Sequence, residues 1–449
     1  MNIKLISPRM TLRPMDSEFK RRMSPSLSLL VLAALTPPEH EVVIEDENTG
    51  RLNLNDRPDL VGITCNVDNS PRAYAIADGY RGRGVPVVMG GTHVSASPEE
   101  AGVHADAVCI GEAEDVWEFI LADAEAGRLM KTYRGDGPPN PANTPPPRWD
   151  LIDRSKYLFS NVVCASRGCP FSCEFCYNSS KYVHKGWRPK PVESVLREIS
   201  LLKCRQVMFI DDNLIGDPEW TRGLVKAIKP LGLTWHAAVS ANIGSMPGLL
   251  DEMKGAGCES LFIGFETINA GSVADACKRQ NNTLHYARTI SEIHEREIMV
   301  NASMVFGFDH DMPDVFDRTL GWLVENRVET MTGHILTPYP GTKLHDRLKA
   351  EGRITETDPA RYNTSSVVFR PKNMSPDELL AGYLRVYDEL YSWRNIMKRM
   401  PVLPRQRAPF LLFNIAYRKY GKAASMFAAG MGLMGRLGGL LSKLSYGVG

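Results

Sequence analysis

Short apolar runs alternate with amphipathic stretches twice along this chain, and few folds satisfy such a pattern. In the first 125 residues, runs 4–7, 42–45, 60–65, 85–89 and 107–110 have the continuous apolar character of buried parallel strands. Between them, stretches 27–35, 71–81 and 114–124 carry helical periodicity. Strand and helix in turn predict an open, doubly wound α/β sheet, which binds ligands beyond the carboxyl ends of its strands. The residues at those ends are Thr64 and Cys65, then Gly90, Gly91, Thr92 and His93, then Gly111 and Glu112.

A run that is more than half proline and glycine, GDGPPNPANTPPP at 135–147, then interrupts the pattern and marks a domain boundary. From 158 the alternation resumes in longer units. Strands are predicted at 160–164, 206–210, 234–239, 260–264, 300–306 and 332–336, and helices at 192–202, 218–231, 247–255, 283–296 and 313–326. Six such units suit a partial (β/α)6 barrel of the TIM-like kind, with chemistry at the carboxyl ends of the strands. A single long helix is expected over 376–400. The organisation predicted is an α/β domain at 1–134, a linker at 135–157, a partial barrel at 158–350 and a helical region at 351–449.

Composition narrows the function classes. The chain has 43% hydrophobic and 23% charged residues and a formal charge of +1, which argues against a nucleic-acid partner. The N-terminal sequence lacks a signal-peptide pattern, and no run of ~18 apolar residues predicts a spanning helix. Of nine cysteines, Cys169, Cys173 and Cys176 are crowded into eight residues. Such crowding points to metal or redox chemistry in a reducing, cytoplasmic setting rather than to disulfides. Closely spaced thiolates on one loop can hold three corners of an iron–sulfur cube and leave one iron open. The alternative is a structural zinc site with Cys164 as fourth ligand, although zinc favours two separated pairs of cysteines. By default the other cysteines are buried core thiols.

The spacing C-x3-C-x2-C, with Phe175 before the last cysteine, resembles the signature of the radical S-adenosylmethionine (SAM) superfamily. The whole chain is similar to its cobalamin-binding-domain class, in the branch of hopanoid C-2 methylase and, more distantly, the anaerobic magnesium-protoporphyrin cyclase. The blocks that carry the likeness are 164–178, 209–213, 262–266, 306–310 and 337–342. The resemblance implies a 4Fe–4S cluster on Cys169, Cys173 and Cys176, with SAM on the open iron and cleaved to a 5′-deoxyadenosyl radical. It implies SAM contacts from Asp211, Asp212, Asn213 and Glu266. Ser240 and Asn242, which follow the third barrel strand, are candidates for the same role. An electron donor such as flavodoxin or ferredoxin is the implied partner.

Many cobalamin proteins use an Asp-x-His-x-x-Gly motif, and this sequence has none. The resemblance therefore implies cobalamin held at the first sheet without a histidine on cobalt. With cobalamin the expected reaction is methylation of an unactivated carbon. The alternatives are radical oxidation, cyclisation or rearrangement without methyl transfer, and a non-catalytic iron–sulfur protein. After Glu389 no acidic residue follows. Arg394, Lys398, Arg399, Arg405, Arg407, Arg418, Lys419, Lys422, Arg436 and Lys443 alternate there with apolar clusters. That pattern predicts peripheral attachment to an anionic membrane and a small-molecule or lipid-like, isoprenoid substrate, against the alternative of a tail packed on the barrel.

Overall fold

Successive side chains of a strand face opposite ways. In β1 (Asn2–Ser7) Ile3 and Leu5 enter one core and Ile6 the other, so apolar side chains are buried on both faces. Such a strand needs helices on both sides. A six-stranded sheet is built around it in the order β2 (Glu41–Asp46), β1, β3 (Leu60–Thr64), β4 (Val87–Gly90), β5 (Ala107–Ile110) and β6 (Thr132–Arg134), every pair parallel. Helices Leu27–Leu35 and Trp117–Glu125 cover the Leu5 face, and helix Ser70–Arg81 covers the Ile6 face. The computed structural model describes residues 1–13, 16, 18–180, 182 and 186–417. Strand β6 was not anticipated, because three residues with only Tyr133 buried are too short to show a period. The proline-rich run is anchored at its two ends. The Pro139 carbonyl accepts from Arg188 at 2.6 Å, and Arg148 N–H donates to the Leu30 carbonyl at 3.2 Å.

The second sheet begins with β7 (Val162–Val163), and a short antiparallel ribbon follows, β8 (Ser166–Arg167) with β9 (Arg188–Pro189). The sheet continues through β10 (Gln206–Phe209), β11 (Thr234–Ser240), β12 (Cys258–Glu266), β13 (Met299–Phe306) and β14 (Thr330–Ile335), all parallel and in sequence order. This is the six-stranded arc of a partial barrel. Its outer helices bury apolar stripes, as Val195, Ile199 and Leu202 do in helix Val192–Leu202. Helix Pro218–Ile228 starts where Asp217 accepts the N–H groups of Glu219 and Trp220 at 2.9 and 3.3 Å.

An open arc leaves β14 as an edge, and exposed edges invite mispairing. Here a ladder of tyrosines covers it. Helix Pro376–Leu390 and its cap residue carry Tyr383, Tyr387 and Tyr391 at successive turns. Gly333 N–H donates to the Tyr387 hydroxyl at 2.7 Å, and Tyr383 donates to the Gly333 carbonyl at 3.2 Å. Tyr391 takes Met331 N–H at 3.0 Å and returns a bond to its carbonyl at 2.8 Å. The expected single helix over 376–400 is in fact two. The first stops at Leu390, and Ser392 caps a second, Trp393–Arg399. The break turns Arg399 inward, where it is fully buried against the carbonyls of Val328, Glu329 and Leu390.

Arg399 is thus not a surface cation of the tail, and Arg405 pairs with Glu297 and Glu259. In helix Pro404–Ala416, Phe410 and Asn414 are buried against the barrel. The expectations for Arg418, Lys419, Lys422, Arg436 and Lys443 lie outside the described residues. Among the described residues no helix is long and apolar enough to cross a membrane.

Candidate functional site

The register pairs Val163 with Phe209, so the chain leaves β7 and β10 side by side. Asp211 holds the two exits together. Its carboxylate accepts Ala165 N–H at 3.2 Å and both the N–H and the hydroxyl of Ser166 at 2.5 Å. Burial pushes its pKa up to about 6 despite those bonds. Asn213 is buried and accepts Ser240 N–H at 3.1 Å, while its own Nδ2 has no partner. The Ser240 hydroxyl lies 2.5 Å from Asn242 Oδ1. Asp212 is different. It is exposed, it stands on a cavity wall, and its charge acts on Cys169 and Cys176.

Cys169, Cys173 and Cys176 sit on the loop that these contacts fix. Burial raises the Cys169 thiol and carries Cys176 to about 12, and the neighbouring thiols push the same way. Cys164 is also raised to about 12 by burial, and its charged neighbours are Asp211, Arg167, Lys190 and Asp212, with none of the three thiols among them. Its thiol donates to the Ser166 carbonyl at 3.0 Å. Asn178 N–H points at Cys176 Sγ (3.4 Å) and Gln280 Nε2 at Cys173 Sγ (3.6 Å), contacts that suit metal-bound thiolate. Among the described residues no three Cys, His, Asp or Glu side chains converge as a single metal ion requires. Three neighbouring thiols without a fourth fit a cluster with one open corner, whose ligands stand further apart.

Glu266 ends β12 in a left-handed conformation, φ +64°, which places its carboxylate inward. Lys278 Nζ and the Ser303 hydroxyl each donate to it at 3.0 Å. Burial works to lower the Lys278 pKa, and the charge of Glu266 more than restores it. This buried ammonium beside Cys173 was not legible in the sequence, since only folding brings residue 278 back over the loop.

A cavity of about 380 Å³ separates the tips of the first sheet from the cysteine loop. Thr64, Gly90, Gly91, Thr92, Gly111 and Glu112 form one wall, and Cys164, Asn178, Ile210 and Asp212 the other. It continues under the sheet beside Leu29, Trp117 and Ile120. Cys65 and His93 stand behind the wall, both buried, with His93 Nε2 3.3 Å from Glu100. Gly91 has φ +113°, and a Cβ there would fall 2.6 Å from the Cys65 carbonyl oxygen. Strand tips without side chains leave backbone for a broad, flat ligand to lie on, so the wall fits a corrin and its deeper extension fits a tail. Glu112 turns from that wall to bind Arg167, at 3.4 Å, and Arg188. Arg167 also pairs with Glu114. These ion pairs strap the first domain to the cysteine loop, and their partners are too distant in sequence to predict.

Comparison with known proteins agrees with this geometry. Residues 163–323 match the radical SAM superfamily model, 27–121 the B12 binding domain and 342–409 a domain of unknown function (DUF4070). The chain is 30% identical over 403 residues to bacteriochlorophyllide d C-12(1)-methyltransferase of Chlorobaculum tepidum, covering 87% of this chain and 88% of that one. It belongs to the family of cobalamin-dependent radical SAM methyltransferases. Hopanoid C-2 methylase of Rhodopseudomonas palustris is 27% identical, over 84% of this chain and 72% of its own. The fold is shared with the radical SAM methyltransferase TsrM of Kitasatospora setae, at a TM-score of 0.67 and 15% identity, covering 96% and 99% of the two chains. The chain is therefore an enzyme whose cofactors are a 4Fe–4S cluster, SAM and cobalamin.

Proposed function

We propose that the chain methylates an unactivated carbon of a lipid-like or isoprenoid substrate. The observation that carries this is the single cavity on which the bare strand tips and the cysteine loop both open. A substrate carbon held there lies between the two cofactor surfaces. The cluster supplies the electron that cleaves SAM, and cobalamin supplies a carrier for the methyl group.

In this reading Cys169, Cys173 and Cys176 hold the cluster. Asp212, which makes no hydrogen bond or ion pair among the described residues and faces the cavity, receives the SAM ammonium as a charge-assisted contact. The unpaired Asn213 Nδ2 offers a donor to the same ligand. Asp211 and Ser240 orient these groups, and the Glu266–Lys278 pair borders them. Thr64, Gly90, Gly91, Thr92 and Gly111 seat the corrin, with Cys65 and His93 supporting the wall from behind, and Glu112 fixes the wall against the loop.

The relatives named for hopanoid and bacteriochlorophyllide substrates support a substrate of that kind. So does the surface of the C-terminal helices. Trp393, Met397 and Val402 are 53%, 60% and 73% exposed, with Arg394, Lys398 and Arg407 exposed among them. A cation near an anionic bilayer contributes about 1 kcal/mol. Two experiments test the proposal. With deuterated-methyl SAM, the label should appear in a lipid or isoprenoid product, and an oxidised or cyclised product without label would refute methyl transfer. Salt-sensitive co-sedimentation with anionic vesicles should weaken in a Trp393→Ser, Met397→Ser variant, and absence of binding would remove the membrane route to substrate.

A further inference from the structure

Six parallel strands form an arc and not a closed barrel, so β14 and β7 are both edges. The N-terminal segment straps one edge to the other. Arg13 donates to the Gly333 carbonyl of β14 at 3.3 Å. Further along, the Arg22 and Met23 carbonyls accept Leu158 and Phe159 N–H, just before β7, at 2.7 and 2.8 Å. Lys20 lies between these two anchors, in the short helix Glu18–Arg21.

The register shows where β14 aims its side chains. Residues side by side in parallel strands point to the same face. Ser303 pairs with Thr332, and Val305 with His334. Ser303 donates to Glu266, whose carboxylate points inward, so Thr332 and His334 share that interior face. A polar chain then sets the state of His334. Arg13 is tied to Asp16 by bonds of 2.9 and 3.0 Å, and its remaining terminal nitrogen reaches Thr364 Oγ1 at 3.5 Å. With Oγ1 accepting from Arg13, the Thr364 hydroxyl gives its own proton to His334 Nδ1, 3.1 Å away. That assigns the ring hydrogen to Nε2, which has no partner among the described residues and is a donor into the interior. Thr364 is held for this contact at φ +63°, an unusual conformation for a β-branched residue. Burial and the charges of Arg13 and Lys20 keep the ring neutral.

Lys20 is the cation left over. It is half-buried, and its ammonium has no hydrogen bond or ion pair among the described residues. Burial and the charge of Arg13 both lower its pKa. Since Asp16 cancels Arg13, the group of three carries one net positive charge. Asp68 is engaged by Thr11 N–H at 3.3 Å, and its charge acts on Tyr177 and Tyr339. Tyr339 also feels Arg13, and it stacks on Tyr177, next to Cys176, with ring centroids 4.7 Å apart. The polar group thus borders the same end of the barrel as the cysteine loop.

We propose that the Lys20 ammonium and His334 Nε2 hold a carboxylate of the substrate at the β14 side of the barrel mouth. The inference rests on the methyl-transfer reading and narrows its substrate to a lipid-like or isoprenoid acid. Two donors match two oxygens, and one net positive charge matches one negative charge, which favours a carboxylate over a phosphomonoester dianion. Arg13, locked by Asp16, orients His334 through Thr364 and is a positioning residue.

The test measures binding of decanoate, 1-decanol and decyl phosphate to the anaerobic enzyme loaded with cluster and cobalamin. Decanoate should bind at least about tenfold more tightly than either of the others. Lys20→Met should remove that preference, His334→Leu should lower it about threefold, and Lys20→Arg should keep it. Decanoate binding no tighter than decanol, or a preference that survives both Lys20→Met and His334→Leu, would overturn the proposal. Tighter binding of decyl phosphate would overturn the choice of a carboxylate. The methyl-transfer reading fails separately: with deuterated-methyl SAM an unlabelled product sinks that reading, whereas a labelled but neutral product sinks the carboxylate anchor alone.

Discussion

Replacing Gly91 with alanine should separate the two cofactor sites experimentally. Its φ of +113° and ψ of −179° lie where only glycine is at ease, and an added Cβ would stand 2.6 Å from the Cys65 oxygen and 2.8 Å from its nitrogen. Both atoms are backbone, so no side chain can swing away. The strained backbone costs about 1–3 kcal/mol. Relief by moving the tip of β4 would break Cys65 N–H to the Gly90 carbonyl, 2.8 Å, and His93 N–H to the Cys65 carbonyl, 3.2 Å. At about 1 kcal/mol each, the sum is roughly 3–5 kcal/mol. Gly91 lies on the cavity wall formed by the first sheet and an added Cβ there meets Cys65, so iron content after anaerobic reconstitution should stay near that of the unaltered protein. Cobalamin retained through gel filtration, and the urea midpoint of the first domain, should both fall. Full cobalamin retention with an unchanged midpoint would refute the role assigned to this turn.

Alanine at Cys169, Cys173 or Cys176 should abolish cluster loading, whereas Cys164→Ala should lose only its bond to the Ser166 carbonyl; iron analysis decides, and cluster loss in the last variant would restore Cys164 as a ligand. Tyr387→Phe should cost about 1–3 kcal/mol in urea unfolding by stranding Gly333 N–H at the covered edge of β14, and no change would mean that the ladder does not protect it. Burial lowers the His236 pKa from 6.5 to about 4. The folded chain therefore binds fewer protons than the unfolded chain between those values. This contribution is complete above about pH 6.5 and is lost as pH falls toward 4, by about 3 kcal/mol. His236→Gln should flatten that part of the stability profile of the cluster-free protein, and an unaltered profile would assign the loss to other groups.

Much of the architecture was written locally. The runs that became β5 and the helices at 27–35 and 192–202 were bounded correctly from apolar periodicity. The cysteine triplet was legible because its thiols are neighbours in sequence. Periodicity failed where an element was brief, as in β6, or where tertiary contact outranked propensity. The stretch 376–400 reads as one helix, yet it breaks at Tyr391 and Ser392 because Tyr391 caps the edge of β14 while Arg399 must turn in beneath it.

The strand-end rule brought Thr64, Gly90, Gly91, Thr92, Gly111 and Asp212 to one cavity. It had no means of separating Asp212 from Asp211 or Glu112 from a ligand contact. All three are acids at strand ends, and the difference lies in partners far along the chain. Asp211 binds Ala165 and Ser166, Glu112 binds Arg167 and Arg188, and Asp212 faces the cavity. Sequence alone determined which side chains reach the mouths of the two sheets, because strand periodicity and strand ends are local properties. Which of them are already neutralised, and which remain to meet a cofactor, was decided only by the tertiary fold, because a charge is satisfied by whatever the fold places within about 3 Å of it.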